Sequence, residues 1–494
     1  MRAATALACL CVLVGGGVGF AGRVPDPLPV AAEDRDAGNP RNVRWAWPVI
    51  EWVGIEPRAE VRAIGDGPRR PETERAAVVI AVRNAGEERA EGLEIRGLGE
   101  GAVGVPALGP GERAEVRVEL ATDALPYGGT LTLASAGGEA FDAFRVHGED
   151  AHRVAVVVDA GSWADGDERF GSLARRLRKS FEDLHEVFDG RGVPGTAEGG
   201  GHPDRERIPD RFRLEHVELF DPEAGTPGLF LEHPEFDLVL AVNEGGPLCC
   251  FWLTDDPGKH YSIGHNFTSK GADGAVRGIW SLWGEHALWH ELLHYRGVPD
   301  YYMYKIAPGS LPGRTPEGWS GWGPGDDART AAYGADVMNS PYRAIEVGRL
   351  TAAVAASKAG VSRIGPCEDP TIEYGHMWRW LPERVEVRVV DGEGRTMEGE
   401  VRWYRPRPAG LRDARQQGVA EGAEPLGRSS GGAMALELTG DYMNASGRRP
   451  ERALWLLVEA ERAGEGGTER RWGILTGLEL NEAWVDGARD RYEA

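Results

Sequence analysis

The chain has 494 residues, more than one hydrophobic core holds, so about three domains are expected. Hydrophobic residues at 41% against charged residues at 27% give a globular balance rather than a disordered one. With 56 Lys+Arg against 78 Asp+Glu, the formal net charge of -22 argues against nucleic acid as the main partner and describes a solvated acidic surface.

Met1 and Arg2 precede an apolar, Gly-rich run over residues 3–21, with small residues at Gly19 and Ala21, where a signal peptidase reads. Residues 1–21 are therefore expected to be a secretory signal peptide, with an uncleaved N-terminal anchor as the alternative. The expected address is secreted or extracytoplasmic, the cell surface included. No later run has the length and apolarity of a membrane span, so no stable insertion is expected once the leader is removed. Of the five cysteines, Cys9 and Cys11 fall in the leader, leaving Cys249, Cys250 and Cys367. Export permits a disulfide, and Cys367 paired with Cys249 or Cys250 strains the chain less than a bond between the two neighbours. An odd thiol would remain.

Residues 22–44, rich in Pro, Asp, Arg and Ala without periodicity, read as a linker. Residues 45–148 then alternate in short segments between Gly and Pro breakers. Strands are expected at residues 77–84, 93–96, 115–120 and 130–133, with Leu108-Gly109-Pro110-Gly111 as a turn. That spacing predicts an antiparallel β-sandwich. The stretch VRNAGEERAEGLEIR…LGPGERAEVRVEL resembles the adhesion-type, immunoglobulin-like modules found beside exported bacterial enzymes.

From His152 the pattern changes. Residues 153–159, RVAVVVD, suit a central strand. Phe170, Leu173, Leu177, Phe181, Leu184 and Phe188 then recur at helical spacing, predicting one long amphipathic helix. Further strands are expected at residues 212–220 and 236–242, making residues 152–365 an α/β or α+β core. The glycines near Gly199-Gly200-Gly201 lack the lysine and helix start of a phosphate loop.

Within this core, WSLWGEHALWHELLHYRGVPDYY suits a buried helix. His290 and His294 are four apart, so their imidazoles lie one turn apart on one face and can reach a single zinc ion, Zn2+. Glu291 is placed to touch a water on that ion. Gly297 can end the helix and Pro299 prevents its resumption, so the chain can turn back and bring Asp300 to the same ion. Three protein ligands leave one position open, as in catalytic rather than structural zinc sites. His286, one turn earlier, reads as a supporting or core histidine.

HExxHxxGxxD followed by Ala335-Asp336-Val337-Met338-Asn339-Ser340-Pro341 resembles the metzincin zinc peptidases, with aspartate as third ligand as in their snapalysin-like members. The resemblance implies that His290, His294 and Asp300 hold zinc, that Glu291 is the general base, and that Met338 lies in a turn beneath the metal. In several metzincins a tyrosine follows the turn methionine by two residues, whereas Tyr342 stands four after Met338, which leaves it only a candidate oxyanion stabiliser. A gluzincin-like alternative takes Glu346 as third ligand.

Residues 368–494 turn β-rich again, as a C-terminal β-sandwich-like domain. Strands are expected at residues 384–390, 397–404, 433–438, 453–460 and 472–480, and Asp391-Gly392-Glu393-Gly394 signals a hairpin. Trp378, Trp380, Trp403, Trp455, Trp472 and Trp484 either line a binding face or pack its core. Asn266 and Asn444 head glycosylation acceptors that matter only in a eukaryotic host. The combined expectation is a multidomain α+β, secreted zinc-dependent endopeptidase, hydrolysing a protein or peptide along an edge strand near residues 262–269. The competing expectation is an exported surface-binding or adhesion protein, whose β-rich domains hold a cell-surface ligand and whose metal site is vestigial.

Overall fold

The computed structural model describes residues 47–58, 71–191, 207–220, 236–242, 249–252, 261–265, 268–270, 276–278, 282–296, 298, 301, 336–339, 346–356, 380–391, 393–404, 425, 427–437, 455–464 and 467–493. The expected leader and linker, Gly297, Asp300, Tyr342, Cys367, Trp378, Asn266 and Asn444 lie outside these residues. The fold is mixed α and β with several sheets, and the chain divides into two compact units, residues 1–295 with 358–366 and residues 296–357 with 367–494. Among the described residues no helix is long and apolar enough to cross a membrane.

The first unit begins with seven strands: β1 (Pro48–Glu56), β2 (Arg75–Asn84), β3 (Leu93–Arg96), β4 (Val103–Val105), β5 (Arg113–Ala121), β6 (Thr130–Ser135) and β7 (Ala140–Arg145). They form two antiparallel sheets, ordered β1-β2-β5 and β4-β3-β6-β7. Alternation explains the pairing of faces: Ile50, Val78, Ile80 and Val82 of one sheet share a buried cluster with Ile95, Leu131, Leu133 and Phe144 of the other. The expected turn before β5 is present, with Gly111 at φ +73 and its N–H bonded to the Asn84 carbonyl at 2.8 Å.

The same unit continues through β8 (His152–Asp159), α1 (Ala160–Phe170), α2 (Leu173–Phe188), β9 (Phe212–Phe220) and β10 (Leu238–Val242). Next come β11 (Cys249–Trp252), β12 (Tyr261–His265), the hairpin β13 (Thr268–Lys270) and β14 (Val276–Gly278), and α3 (Leu282–Tyr295). A five-stranded sheet is ordered β11-β12-β10-β8-β9, parallel except for β11. The valine-rich β8 is buried along its whole length, as its continuous apolar run requires of an interior strand.

The structure departs from two sequence expectations. The single long helix is two, because Gly171 at φ +77 ends α1 and the Ser172 hydroxyl accepts from the Arg175 N–H to cap α2. The substrate edge expected near residues 262–269 is partly interior, since β12 is hydrogen-bonded on both sides. At the far side of the sheet, β1 closes on β9 so tightly that a Cβ at Gly54 would stand 2.8 Å from the Glu215 carbonyl oxygen. The other edge is β11, which has no further strand partner among the described residues.

Buried ion pairs join the two β systems of this unit. Glu51 on β1 accepts from Arg113 Nε at 2.8 Å and from Ser172 Oγ at 2.6 Å. Asp167 on α1 pairs with Arg83 and Arg113. Asp142 on β7 receives Arg175, Arg178 and the Ile50 N–H. Every acid here has at least two donors, the condition under which a buried charge is tolerated.

The second unit contains α4 (Arg349–Ala356), β15 (Arg384–Arg388), β16 (Glu400–Tyr404), β17 (Gly427–Ser430), β18 (Ala433–Glu437), β19 (Trp455–Gly464), β20 (Gly467–Thr476), α5 (Gly477–Val485) and β21 (Arg491–Glu493). Its sheets are ordered β18-β15-β21 and β17-β16-β19-β20. The expected reversal at Asp391 to Gly394 forms, with the Gly394 N–H bonded to the Asp391 carbonyl at 3.0 Å. It closes a short antiparallel hairpin, in which the Asp391 N–H bonds the Arg395 carbonyl and the Met397 N–H the Val389 carbonyl, both at 2.9 Å. The hairpin is confined to the residues around the Val390–Thr396 bridge, and beyond it β15 and β16 enter different sheets. The strand expected at residues 472–480 stops at Thr476, whose hydroxyl accepts from the Glu479 N–H at 3.1 Å and starts α5.

Candidate metal centre

The helix α3 carries apolar side chains around most of its girth, so it is driven into the interior rather than laid on a surface. Leu288, Trp289, Leu292, Leu293 and Tyr295 are all fully buried. His290, Glu291 and His294 are buried with them, at 2%, 5% and 8% exposure. Three polar groups at such depth need partners.

The two histidines turn their Nε2 atoms towards each other at 3.0 Å, and one ligand atom from each of His290, Glu291 and His294 lies within 4.8 Å of the others. A tetrahedral zinc with Zn–N of about 2.0–2.1 Å needs its nitrogen ligands about 3.3 Å apart, a few tenths from what is observed. The donor set is also right, since imidazole nitrogen and carboxylate oxygen both ligate zinc. The Glu291 carboxylate has no hydrogen bond or ion pair among the described residues. A buried carboxylate is costly unless it is partnered, and a divalent cation with its water is one partner that offsets the cost. These three residues can therefore hold a metal ion.

Aromatic residues next to the two histidines in sequence tie α3 to the rest of its unit. Trp289 donates its indole N–H to the Ser180 carbonyl at 3.2 Å, with Ser180 Oγ at 3.3 Å. The Tyr295 hydroxyl lies 3.2 Å from His152 Nδ1, and His152 Nε2 lies 3.0 Å from Asp210 Oδ1. None of Ser180, His152 and Asp210 was a candidate from sequence, because neither a strand-initial histidine nor a helical serine carries a motif.

In the second unit, residues 336–339 form a tight turn, with the Asn339 N–H bonded to the Asp336 carbonyl at 2.9 Å and Met338 buried. Asp336 organises it. Its carboxylate accepts from the Met338 N–H at 2.8 Å, the Gly348 N–H at 2.7 Å and the Thr351 hydroxyl at 2.8 Å. Tyr301, which directly follows Asp300, donates its N–H to the Met338 carbonyl at 3.0 Å and places its hydroxyl 2.8 Å from that of Thr351. Glu346 accepts the Val337 N–H through its carbonyl at 2.8 Å. The sequence signal for Asp336 was an Asx-turn acid two residues before Met338, ahead of Asn-Ser-Pro. Side chains of α3 before Leu288, His286 included, lie outside the description.

No protein-family profile matches this chain, and no curated protein matches it in sequence.

Proposed function

We propose that the chain is an exported, zinc-dependent endopeptidase of metzincin type, with His290, His294 and Asp300 as zinc ligands and Glu291 as general base. The observation that carries it is the buried convergence of His290 and His294, 3.0 Å apart at Nε2, with the buried Glu291 carboxylate beside them. Asp300 enters from its offset in HExxHxxGxxD, and Met338 from the turn that follows.

Zinc, when bound, supplies a Lewis acid that polarises a carbonyl and makes water acidic near neutral pH. Glu291 takes the proton from the attacking water and hands it to the departing amine. Burial suits Glu291 to this work, because proton transfer there does not compete with bulk solvent. An extended peptide is taken up as an added strand on β11, the edge that no described strand covers, through main-chain hydrogen bonds.

The test is metal content and hydrolysis of a generic protein substrate, with and without chelator. One zinc per chain with chelator-sensitive cleavage supports the proposal. Stoichiometric zinc without any cleavage favours the surface-binding reading instead. Loss of zinc in Asp300→Ala but not in Glu346→Ala supports the metzincin ligand set over the gluzincin one.

A further inference from the structure

The metal helix is held at two points that bracket its polar residues. Trp289 and Tyr295 are six residues apart, about 240° around the helix axis, so they leave α3 in different directions. Trp289 binds Ser180 on α2, and Tyr295 binds His152 on β8. A helix tied at one azimuth can still roll; one tied at two cannot without breaking a buried hydrogen bond. Roll turns the shared face of His290, Glu291 and His294 as one, whereas fraying of the last turn would carry His294 away from His290.

The second anchor is the more demanding. Tyr295 lies in the last turn of α3, where backbone carbonyls run out of helical partners and ends fray. It sits one residue after His294. His152, fully buried, bonds Asp210 through one ring nitrogen and Tyr295 through the other. A carboxylate only accepts, so in the neutral ring Asp210 keeps the proton on Nε2 and leaves the Nδ1 lone pair for the tyrosine O–H.

We infer that His152 and Asp210 are positioning residues of the metal centre: through Tyr295 they lock the final turn of α3, so that the ligand set is assembled before a cation arrives. This inference rests on the metal-site reading above. It assigns the two residues no contact with the metal or with substrate.

The full chain is titrated with zinc against a chromophoric chelator, and cobalt(II) is substituted to read the ligand geometry by visible absorption. Tyr295→Phe keeps the ring and removes the O–H, and Asp210→Ala removes the acceptor behind His152. Both are expected to bind zinc about tenfold more weakly than the parent while unfolding cooperatively, and to shift the cobalt bands. Asp210→Asn, whose amide oxygen still accepts from Nε2–H, is expected to restore most of the affinity. If Asp210→Ala does not fold, Tyr295→Phe decides alone. A Tyr295→Phe protein with zinc affinity within twofold of the parent and the same cobalt spectrum overturns the inference, even if its stability has dropped. A parent chain that takes up no zinc overturns the metal-site reading itself, and this inference with it.

Discussion

Asp142 on β7 and Arg175 on α2 meet in a two-pronged ion pair, with Nε and Nη2 at 3.0 and 2.8 Å from the carboxylate oxygens, inside one compact unit. Burial opposes the charge on Asp142, but Arg178 and Arg175 outweigh it and hold the carboxyl below its ordinary range. A depressed carboxyl pKa contributes stability above the unfolded value near 4, and that contribution is lost as pH falls through the folded value. Asp142→Asn should leave two buried guanidinium groups facing a neutral amide, at a cost of about 3–5 kcal/mol. Urea unfolding at pH 7 measures it. A loss below about 1 kcal/mol would show that the Asp142 pair does not hold the sandwich to the helices.

A second pair gives the fold an acid limit of different origin. His147 and His185 stack edge to face at 4.7 Å, and the Phe212 N–H donates to His185 Nε2 at 2.8 Å. Burial, reinforced by the charges of Arg211 and Arg213, lowers His147 to about 4. Burial, then His147 and Arg211, pushes His185 well below its ordinary value. Both rings are neutral when folded and take up protons near pH 6.5 only when unfolded. Stability is thus unaffected above about pH 7 and falls as pH drops from about 6.5 towards 4, by up to about 3 kcal/mol for His147. His147→Phe keeps an aromatic edge on His185 and should flatten the slope of unfolding free energy against pH in that window by up to about 1.4 kcal/mol per unit. Parallel curves for parent and variant would exclude the assignment.

What could be read from sequence was what is local in the chain. The valines of β8, the alternation of β5 and the four-residue spacing of His290 and His294 each declare their structure within one short window. The Gly171-Ser172 break was also local, but the apolar spacing from Phe170 to Phe188 runs through it without a change of phase and hid it. Asp391–Gly394 has hairpin chemistry, yet a turn fixes only a reversal, and the partners of β15 and β16 were chosen by distant strands. Asp142 and Arg175, or His152 and Asp210, are joined across intervals with no pattern of their own. Tertiary packing alone brings them together.

Asp336 holds the Met338 turn by accepting three hydrogen bonds while almost fully buried. Asparagine has the same shape, but its NH2 would face donors on at least one side. Asp336→Asn should cost about 1–3 kcal/mol. Gly348→Ala should loosen the same turn, since its Cβ would stand 2.6 Å from Asp336 Oδ2. Hydrogen exchange at Met338 and Gly348 is the direct measurement. Both amides should exchange faster in either variant, while those of β8 keep their parental rates.

Glu291 is the residue on which the proposed chemistry can be separated from the proposed binding. Glutamine fills the same volume beside His290 and adds no charge, so α3 should keep its packing and its histidines their 3.0 Å approach. Its amide cannot accept a proton at neutral pH. Glu291→Gln should therefore bind zinc as the parent does, unfold at the same temperature or slightly higher, and lose about 10²–10⁴-fold in kcat on a peptide substrate. The stability gain is expected because a buried carboxylate, with no hydrogen bond or ion pair among the described residues, has been replaced by a neutral group. A variant that cleaves at the parental rate would remove Glu291 from the reaction while leaving the metal site intact. One that also loses its zinc would make Glu291 a ligand rather than a base.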